Sequence, residues 1–334
     1  LVGSEMCIRD RYDRGLSVLE QYGLEAKSTY RGRGALICDT QAGLVQIREY
    51  NGSPRKLGYQ AKLLEIVSTR NQISVDSLLP NQEGAYVSAD KDNIPYVVKR
   101  WYEGRECDTQ SMKDIKRSVT ALASLHKTMK MPVQTHYVKE PLLMEYERKN
   151  RELRKIRKFV CQKRRKNDFE LRYLDSIACY LWHAEEAQRR LNCSDYEDLR
   201  CRSLETGDVC HGEYNQHNVL MLAQNTAVIN FDRWHYDVQM EDLYQFMRKI
   251  LEKHNWDLEM GRQMLLAYHE EKPMNVQELE NLRIRFAYPE KFWKLANYYY
   301  SHSKAWISEK NLEKLEKLIA QHDNWMNFVE NISV

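Results

Sequence analysis

Pairing signals among the cysteines are missing. The eight of them, Cys7, Cys38, Cys107, Cys161, Cys179, Cys193, Cys201 and Cys210, include no Cys-x-x-Cys pair and no tandem histidine spacing, which excludes a zinc ribbon and a thioredoxin-type redox motif. Scattered thiols of this kind read as buried and free in a reducing compartment. No apolar run reaches the roughly 18 to 20 residues that cross a bilayer, and the N-terminus has no secretory apolar block. A cytoplasmic protein is expected. Charge of one sign is missing too: 51 Lys+Arg against 48 Asp+Glu leave +3, so no global field recruits nucleic acid or an anionic membrane. Neither is expected as a partner. Internal repeats and low-complexity tracts are also absent.

What remains is a chain of 334 residues, 43% hydrophobic, long enough for two ordinary domains or one two-lobed unit with a sizeable core. Its first eleven residues, "LVGSEMCIRDR", back-translate onto a transposon-type sequencing adapter and are set aside as an artefact, with the genuine start expected to be lost. From Tyr12 to about Trp101 the pattern is short and alternating. "LSVLEQYG" fits a short helix; three antiparallel strands follow around the turns Arg31-Gly32-Arg33-Gly34 and Thr40-Gln41-Ala42-Gly43. A helix then opens with Pro54 at its first position and carries Leu57, Ala61, Leu64 and Val67 on one face. Two more strands, "GAYVSAD" and "IPYVVKRW", join through the Asp90 to Asn93 turn.

After "WYEGREC" helical periodicity takes over, interrupted only by loop and short strand from Cys210 to Asp237. Ile115, Val119, Leu122 and Leu125 share a face, and Leu142 to Leu191 reads as a long helical hairpin. This predicts an N-terminal part over 12–104, ending in a hinge, and a helical part over 105–334. Within the hairpin the basic run Arg148 to Lys166 reads as a solvated helical face, with Leu153, Ile156 and Phe159 inward, over a docking surface for an acidic partner. Base-stacking aromatics are sparse there.

The most informative stretch is "HGEYNQHNVL", His211 to Leu220: histidine and glycine lead into a carboxylate, and an asparagine follows five residues later. An antiparallel sheet with one helix after its third strand, followed by helices and this H-G-acid-x-x-x-x-N loop, resembles the protein-kinase-like fold, in its aminoglycoside phosphotransferase and choline kinase branch. Five segments, "YGLEAKSTYRGRGALICDT", "WYEGREC", "HGEYNQHNVL", "INFDRWHYDVQMEDLYQFMRKILEKHNW" and "YPEKFWKLANYYYSHSKAWISEKNLEKL", look like the CotS family of spore-coat proteins. The expected class is therefore α+β: a small antiparallel-sheet lobe with one main helix, and a larger, mostly helical lobe.

Carried over by position, the resemblance implies that Gly32 and Gly34 cover nucleotide phosphates, that Arg48 stands where a third-strand lysine would, and that Glu65 faces it from the helix. Trp101 and Tyr102 begin the hinge against which an adenine would lie. Glu213 takes the catalytic-base position, Asn218 that of a catalytic-loop asparagine that binds metal, and Asn230 that of a magnesium-holding aspartate. Three of these residues depart from the pattern. Glu213 keeps a carboxylate but adds a methylene, a displacement that can cost about 100-fold in rate; Arg48 replaces a point ammonium with a planar fork; Asn230 removes a full negative charge from a magnesium site. If "AVINFD" is a strand, Asp232 shares a face with Asn230 and can take over as metal ligand.

The resemblance implies ATP and Mg2+ as cofactors, other spore-coat proteins as partners, and a place in the mother-cell cytoplasm and then in the coat. The departures favour a binding or scaffold role, that of a pseudokinase, with an active kinase on a hydroxyl acceptor and a nucleotide switch without turnover as the alternatives. Plainer roles stand beside these: His211 as a structural histidine, Asp242 as a cap or loop brace, the aromatics from Phe292 to Trp306 as core packing rather than a cage for a cation, and the 21 tyrosines as folding residues more than as cross-linking groups.

Overall fold

The computed structural model describes residues 15–32, 34–301 and 309–333; the eleven-residue segment assigned to an adapter, Arg33 and Trp306 lie outside these. Contacts divide the chain into two compact units, one running to Met131 and including His211–Trp234, the other comprising Pro132–Cys210 and His235 onward.

In the first unit, a 3-10 helix at Leu16–Tyr22 precedes strands β1 (Ala26–Gly32), β2 (Ala35–Thr40) and β3 (Gly43–Glu49), and helix α1 (Pro54–Arg70) follows. Ser53 caps α1 by accepting from the Lys56 N–H at 3.4 Å, and Pro54 occupies its first turn, where its missing N–H costs nothing. Leu57, Ala61, Leu64 and Val67 are all buried, as their spacing predicts. Next come β4 (Ser74–Val75), β5 (Ser88–Ala89), β6 (Pro95–Arg100) and β7 (Arg105–Glu106).

The main sheet runs β1-β2-β3-β6-β5 and is antiparallel throughout. Strand alternation sorts its residues onto two faces. Val45, Ile47, Tyr96 and Val98 pack with Val18 and Leu19 on one face. On the other, Val97 joins Leu57 and Ala61 of α1, and the pairs Gln46↔Lys99 and Arg48↔Val97 place Gln46, Arg48 and Lys99 on that same face.

Helix α2 (Met112–Thr128) and strands β9 (Val219–Met221) and β10 (Thr226–Val228) complete this unit, β8 (Val209–Cys210) belonging to the other. A second sheet, β4-β10-β9-β7, was not expected from sequence; β10 runs parallel to β4, and β7 pairs with β9. Those pairings, with the Arg105–Asp114 ion pair, hold residues beyond 104 in the first unit. The compact division thus differs from the expected boundary at the hinge.

The second unit is helical apart from β8 paired with β11 (His235–Tyr236). Helices α3 (Leu142–Gln162) and α4 (Asp168–Cys193) form the anticipated hairpin, and α4 opens on a full capping box between Asn167 and Glu170. Helices α5 (Tyr196–Thr206), α6 (Met240–Leu251), α7 (Leu258–Glu271), α8 (Val276–Ala287), α9 (Glu290–Ser301), α10 (Glu309–Ala320) and α11 (His322–Asn331) follow. Phe292 is core, stacking on Tyr180 at 4.3 Å and Tyr173 at 5.4 Å.

Four expectations are corrected here. Phe159 is 45% exposed and Val160 takes its place inside, because 153, 156 and 160 follow the helical repeat and 159 leads it by a residue. Asp242 lies fully buried inside the first turn of α6, not ahead of it. Of the seven described cysteines only Cys38, Cys107 and Cys210 are buried; the others stand on the outward faces of helices. Last, "AVINFD" is not one strand: β10 stops at Val228, Asn230 turns left-handed at φ 71°, and Phe231–Arg233 forms a 3-10 turn.

Candidate functional site

The loop after β8 is cross-braced by its own polar groups. Gly212 takes φ 80°, the left-handed region that glycine enters without penalty. His211, fully buried, accepts the Glu213 N–H at Nδ1 over 3.1 Å and therefore carries its proton on Nε2, which donates to the Ile229 carbonyl at 3.1 Å. One neutral imidazole thereby ties the 211–213 turn to the end of β10. The side-chain amides of Asn215 and Asn218 both donate to the Glu213 carbonyl at 2.9 Å, and the Ile229 N–H returns to the Asn218 carbonyl at 3.0 Å. Asn218 thus spends its NH2 internally and keeps its side-chain oxygen as the acceptor end. The Glu213 carboxylate is 38% exposed and lies 3.3 Å from the Arg233 guanidinium.

Opposite this loop, on the α1 face of the main sheet, sits a chain of alternating charges. Lys99, only 2% exposed, reaches Asp76 Oδ2 at 3.2 Å and Asp232 Oδ1 at 2.8 Å. Arg48 Nη1 reaches Asp232 Oδ2 at 2.8 Å and Asn230 Oδ1 at 3.3 Å. Gln60 donates to Asp232 Oδ1 at 3.4 Å, and Lys56 to the Asp232 carbonyl at 3.3 Å. Asp76 Oδ2 also accepts the Asn230 N–H at 2.9 Å, which fixes the left-handed turn from behind.

These contacts set the protonation preferences. Burial pushes the Asp232 carboxyl up, but Lys99 and Arg48 outweigh it and hold the group below the usual carboxylate range. Asp76 goes the other way: burial dominates over its Lys99 partner and raises it. Burial alone would lower Lys99, and its two carboxylates reverse that and keep it charged. Lys56 is lowered, by burial first. Asp76 Oδ1 is buried with no hydrogen-bond partner among the described residues, an acceptor that a water or an ion would satisfy.

Beside this lies an apolar floor. Leu220, Ala227 and Ile229 form a buried cluster with Trp101, Tyr102 and Leu222 packed on it. The Trp101 N–H donates to the Leu44 carbonyl at 2.9 Å, and the Tyr102 hydroxyl to the Val75 carbonyl at 3.0 Å. Gly104 is where the backbone comes close: a Cβ there would stand 2.6 Å from Leu222 Cδ2 and 3.0 Å from the Met221 carbonyl oxygen. The β1–β2 hairpin closes at the Gly32↔Ala35 pair with Gly34 at φ 74°.

The structure thus brings together Arg48, Asn230 and Asp232, and separately ties Asn218 to Glu213. Asn230 and Asp232 do converge, through a left-handed turn instead of strand alternation. Glu65 does not face Arg48: it is on the exposed side of α1, about 140° around the helix from Gln60, which occupies the inner side. Sequence reasoning missed Lys99, Asp76, Lys56 and Gln60. The available signal was the lysine in "YVVKRW", which shares a strand face with apolar Val97 and so points inward.

Chemically the cluster suits an anion. Arg48 and Arg233 present exposed cationic donors, Lys56 and the buried Lys99 add positive charge, and an apolar floor lies beside them, a combination that suits phosphates and an aromatic base. A hard divalent cation needs carboxylate oxygens that are not already paired. Both Asp232 oxygens face cations, and the Asn230 amide oxygen accepts from Arg48. As placed, Asp232 and Asn230 direct their oxygens at Arg48 and Lys99, so a magnesium ion there would have to displace those cations.

The relatives agree with this architecture. An aminoglycoside phosphotransferase from Alicyclobacillus acidocaldarius superposes with a TM-score of 0.85 at 17% identity, covering 94% of each chain. A spectinomycin phosphotransferase, solved with ADP and spectinomycin, gives 0.62 at 13% identity over 97% of this chain and 94% of that one. An amicoumacin kinase, solved with AMP-PNP and Ca2+, gives 0.57 at 13% identity over 98% and 97%. The fold is therefore kinase-like, a mixed α+β arrangement. Spore coat protein S of Bacillus subtilis (strain 168) is 25% identical over 166 residues, 49% of this chain and 47% of that protein, so the match spans about half of the relative's length. Over residues 16–332 the sequence matches a family model, and the chain belongs to the family so described, "Spore coat putative kinase YutH".

Proposed function

We propose that this chain is a spore-coat assembly protein whose kinase-like site binds a nucleotide without needing magnesium and acts by binding, with phosphoryl transfer impaired or lost. The observation that carries the reading is the state of Asp232, held by Lys99 and Arg48 at 2.8 Å each. Of the two, the half-exposed Arg48 guanidinium can turn part of its charge to a phosphate oxygen, while Lys99 stays buried between its carboxylates and the paired Asp232 carboxylate is engaged away from a metal. Gly32 and Gly34 supply the hairpin over the phosphates, and Trp101 and Tyr102 the wall against the base. Membership of a spore-coat family supports other coat proteins as partners and a route from the mother-cell cytoplasm into the coat. Among the described residues no helix is long and apolar enough to cross a membrane.

The braced loop favours a second reading. With Asn218 bonded to the Glu213 carbonyl and the Glu213 carboxylate exposed to an acceptor, the chain would act as a phosphotransferase on a hydroxyl group, Glu213 being the base. Single-turnover transfer from labelled ATP decides between them. The binding reading expects no transfer above that of Glu213→Ala; transfer that Glu213→Ala abolishes establishes the enzyme.

A further inference from the structure

A second cluster, in the helical unit and unrelated to the nucleotide site, brings three soft or borderline donors onto one point. Cys179 and His183 stand one turn apart on α4, and His322 opens α11. The His183 and His322 Nε2 atoms are 3.2 Å apart, and Cys179 Sγ is 3.4 Å from His322 Nε2. All three donor atoms lie within 4.8 Å of one another.

Hydrogen bonding does not account for this arrangement. His322 Nδ1 lies 3.1 Å from Asp323 Oδ1; a carboxylate only accepts, so the proton is on Nδ1 and Nε2 presents its lone pair. That single in-plane lone pair then meets both an imidazole nitrogen and a thiol. Two donors competing for one lone pair is a poor arrangement, while three lone pairs around one cation is a good one. For a tetrahedral ion with bonds of about 2.0–2.1 Å to nitrogen and about 2.3 Å to sulfur, neighbouring nitrogens stand about 3.4 Å apart and nitrogen and sulfur about 3.6 Å. The two separations at His322 Nε2, 3.2 and 3.4 Å, are within about 0.2 Å of those edges. The Asp323 contact is the carboxylate–histidine pairing that orients a metal-bound imidazole.

We infer that Cys179, His183 and His322 form a transition-metal site, whose two imidazole nitrogens and one thiolate sulfur are a borderline donor set that selects Zn2+. The ion cross-links the long helix α4 to the C-terminal helix α11, with water in the fourth position, and its binding displaces the Cys179 thiol proton. The other cluster of ligand-type residues, His235, Asp237 and Glu241, is different in kind: Glu241 lies 2.7 Å from the Lys139 ammonium and Asp237 3.5 Å from Arg200, so protein cations already occupy that role.

The test is calorimetric titration of the tag-free, metal-stripped full chain with Zn2+, alongside Co2+ as a spectroscopic probe. The expected result is one Zn2+ per chain with Kd tighter than about 10 μM, a Zn2+-dependent rise in melting temperature, and a thiolate-to-cobalt charge-transfer band. Cys179→Ser removes the band and weakens binding at least about tenfold; His322→Gln does the same to affinity, and Asp323→Ala weakens it about 10-fold or more. Both Cys179→Ser and His322→Gln alter partly or fully exposed side chains, and circular dichroism confirms that they fold. Weaker binding by the parent chain, or affinity unmoved by Cys179→Ser and His322→Gln, overturns the assignment.

Discussion

Asp232 sits between two cations while the residue two positions earlier, where a metal-binding carboxylate would be expected by resemblance, is an asparagine in the left-handed region. Asn and Asp are the non-glycine residues that best tolerate that backbone, so Asn230→Asp changes charge without disturbing the turn. We expect the variant to gain magnesium dependence: affinity for ATP measured by calorimetry rises about tenfold with Mg2+ present, relative to Mg2+ absent. Unchanged affinity on adding Mg2+ argues against the charge deficit as the cause. Arg48→Ala should act on the other half of the site, weakening metal-free ATP binding about tenfold, since under the proposed reading its half-exposed guanidinium donates to phosphate. Glu213 and Asn218 could be proposed from sequence because one short stretch with fixed spacing carries them, and Asn230 and Asp232 because a second, "AVINFD", does. Strand alternation could have turned Lys99 inward, but its partner Asp76 was not legible, because the pairing of a lysine on β6 with an aspartate 23 residues away is set by tertiary packing and leaves no local spacing to detect.

At the level of elements, the strand and helix order of the first unit followed from alternation, turn residues and the Ser53-Pro54 start of α1. The two-residue strands β4 and β7 and the turn after Val228 did not, since segments that short have no period of their own and exist only by pairing with β10 and β9. In the second unit the helices are held to one another partly by buried charge. Lys149 of α3 lies 2.6 Å from Glu290 of α9 and 2.5 Å from Glu145. Burial would raise Glu290, but Lys149 and then Lys294 and Arg248 outweigh it and hold the carboxyl at about 2 against the ordinary 4.5. A depressed folded-state value stabilises above the unfolded value and is lost as pH falls through the folded one. This contribution, about 3 kcal/mol by linkage, is therefore complete above pH ~4.5 and disappears toward pH ~2. Denaturant melts of Glu290→Gln should show a lower midpoint at pH 7 and a shallower decline below pH ~4.5 than the parent; parallel declines count against it. The capping box of α4 gives a milder expectation: Asn167→Ala costs about 1 kcal/mol, read as a melting temperature a few degrees lower.

For the molecule as a whole, the fold class and family were legible because five separated segments agreed, whereas the activity was not, because it rests on which partner each carboxylate takes. A kinase-like fold, a braced loop and an apolar base floor are compatible with catalysis and with binding alike. What separates the two is whether the charge cluster on the α1 face serves phosphate or metal. Melting temperature of the full chain with ATP, titrated with and without Mg2+ and with EDTA, reads this directly. The account predicts the same rise with ATP in EDTA as with ATP and Mg2+; a rise that appears only with Mg2+, or no rise with either, contradicts it.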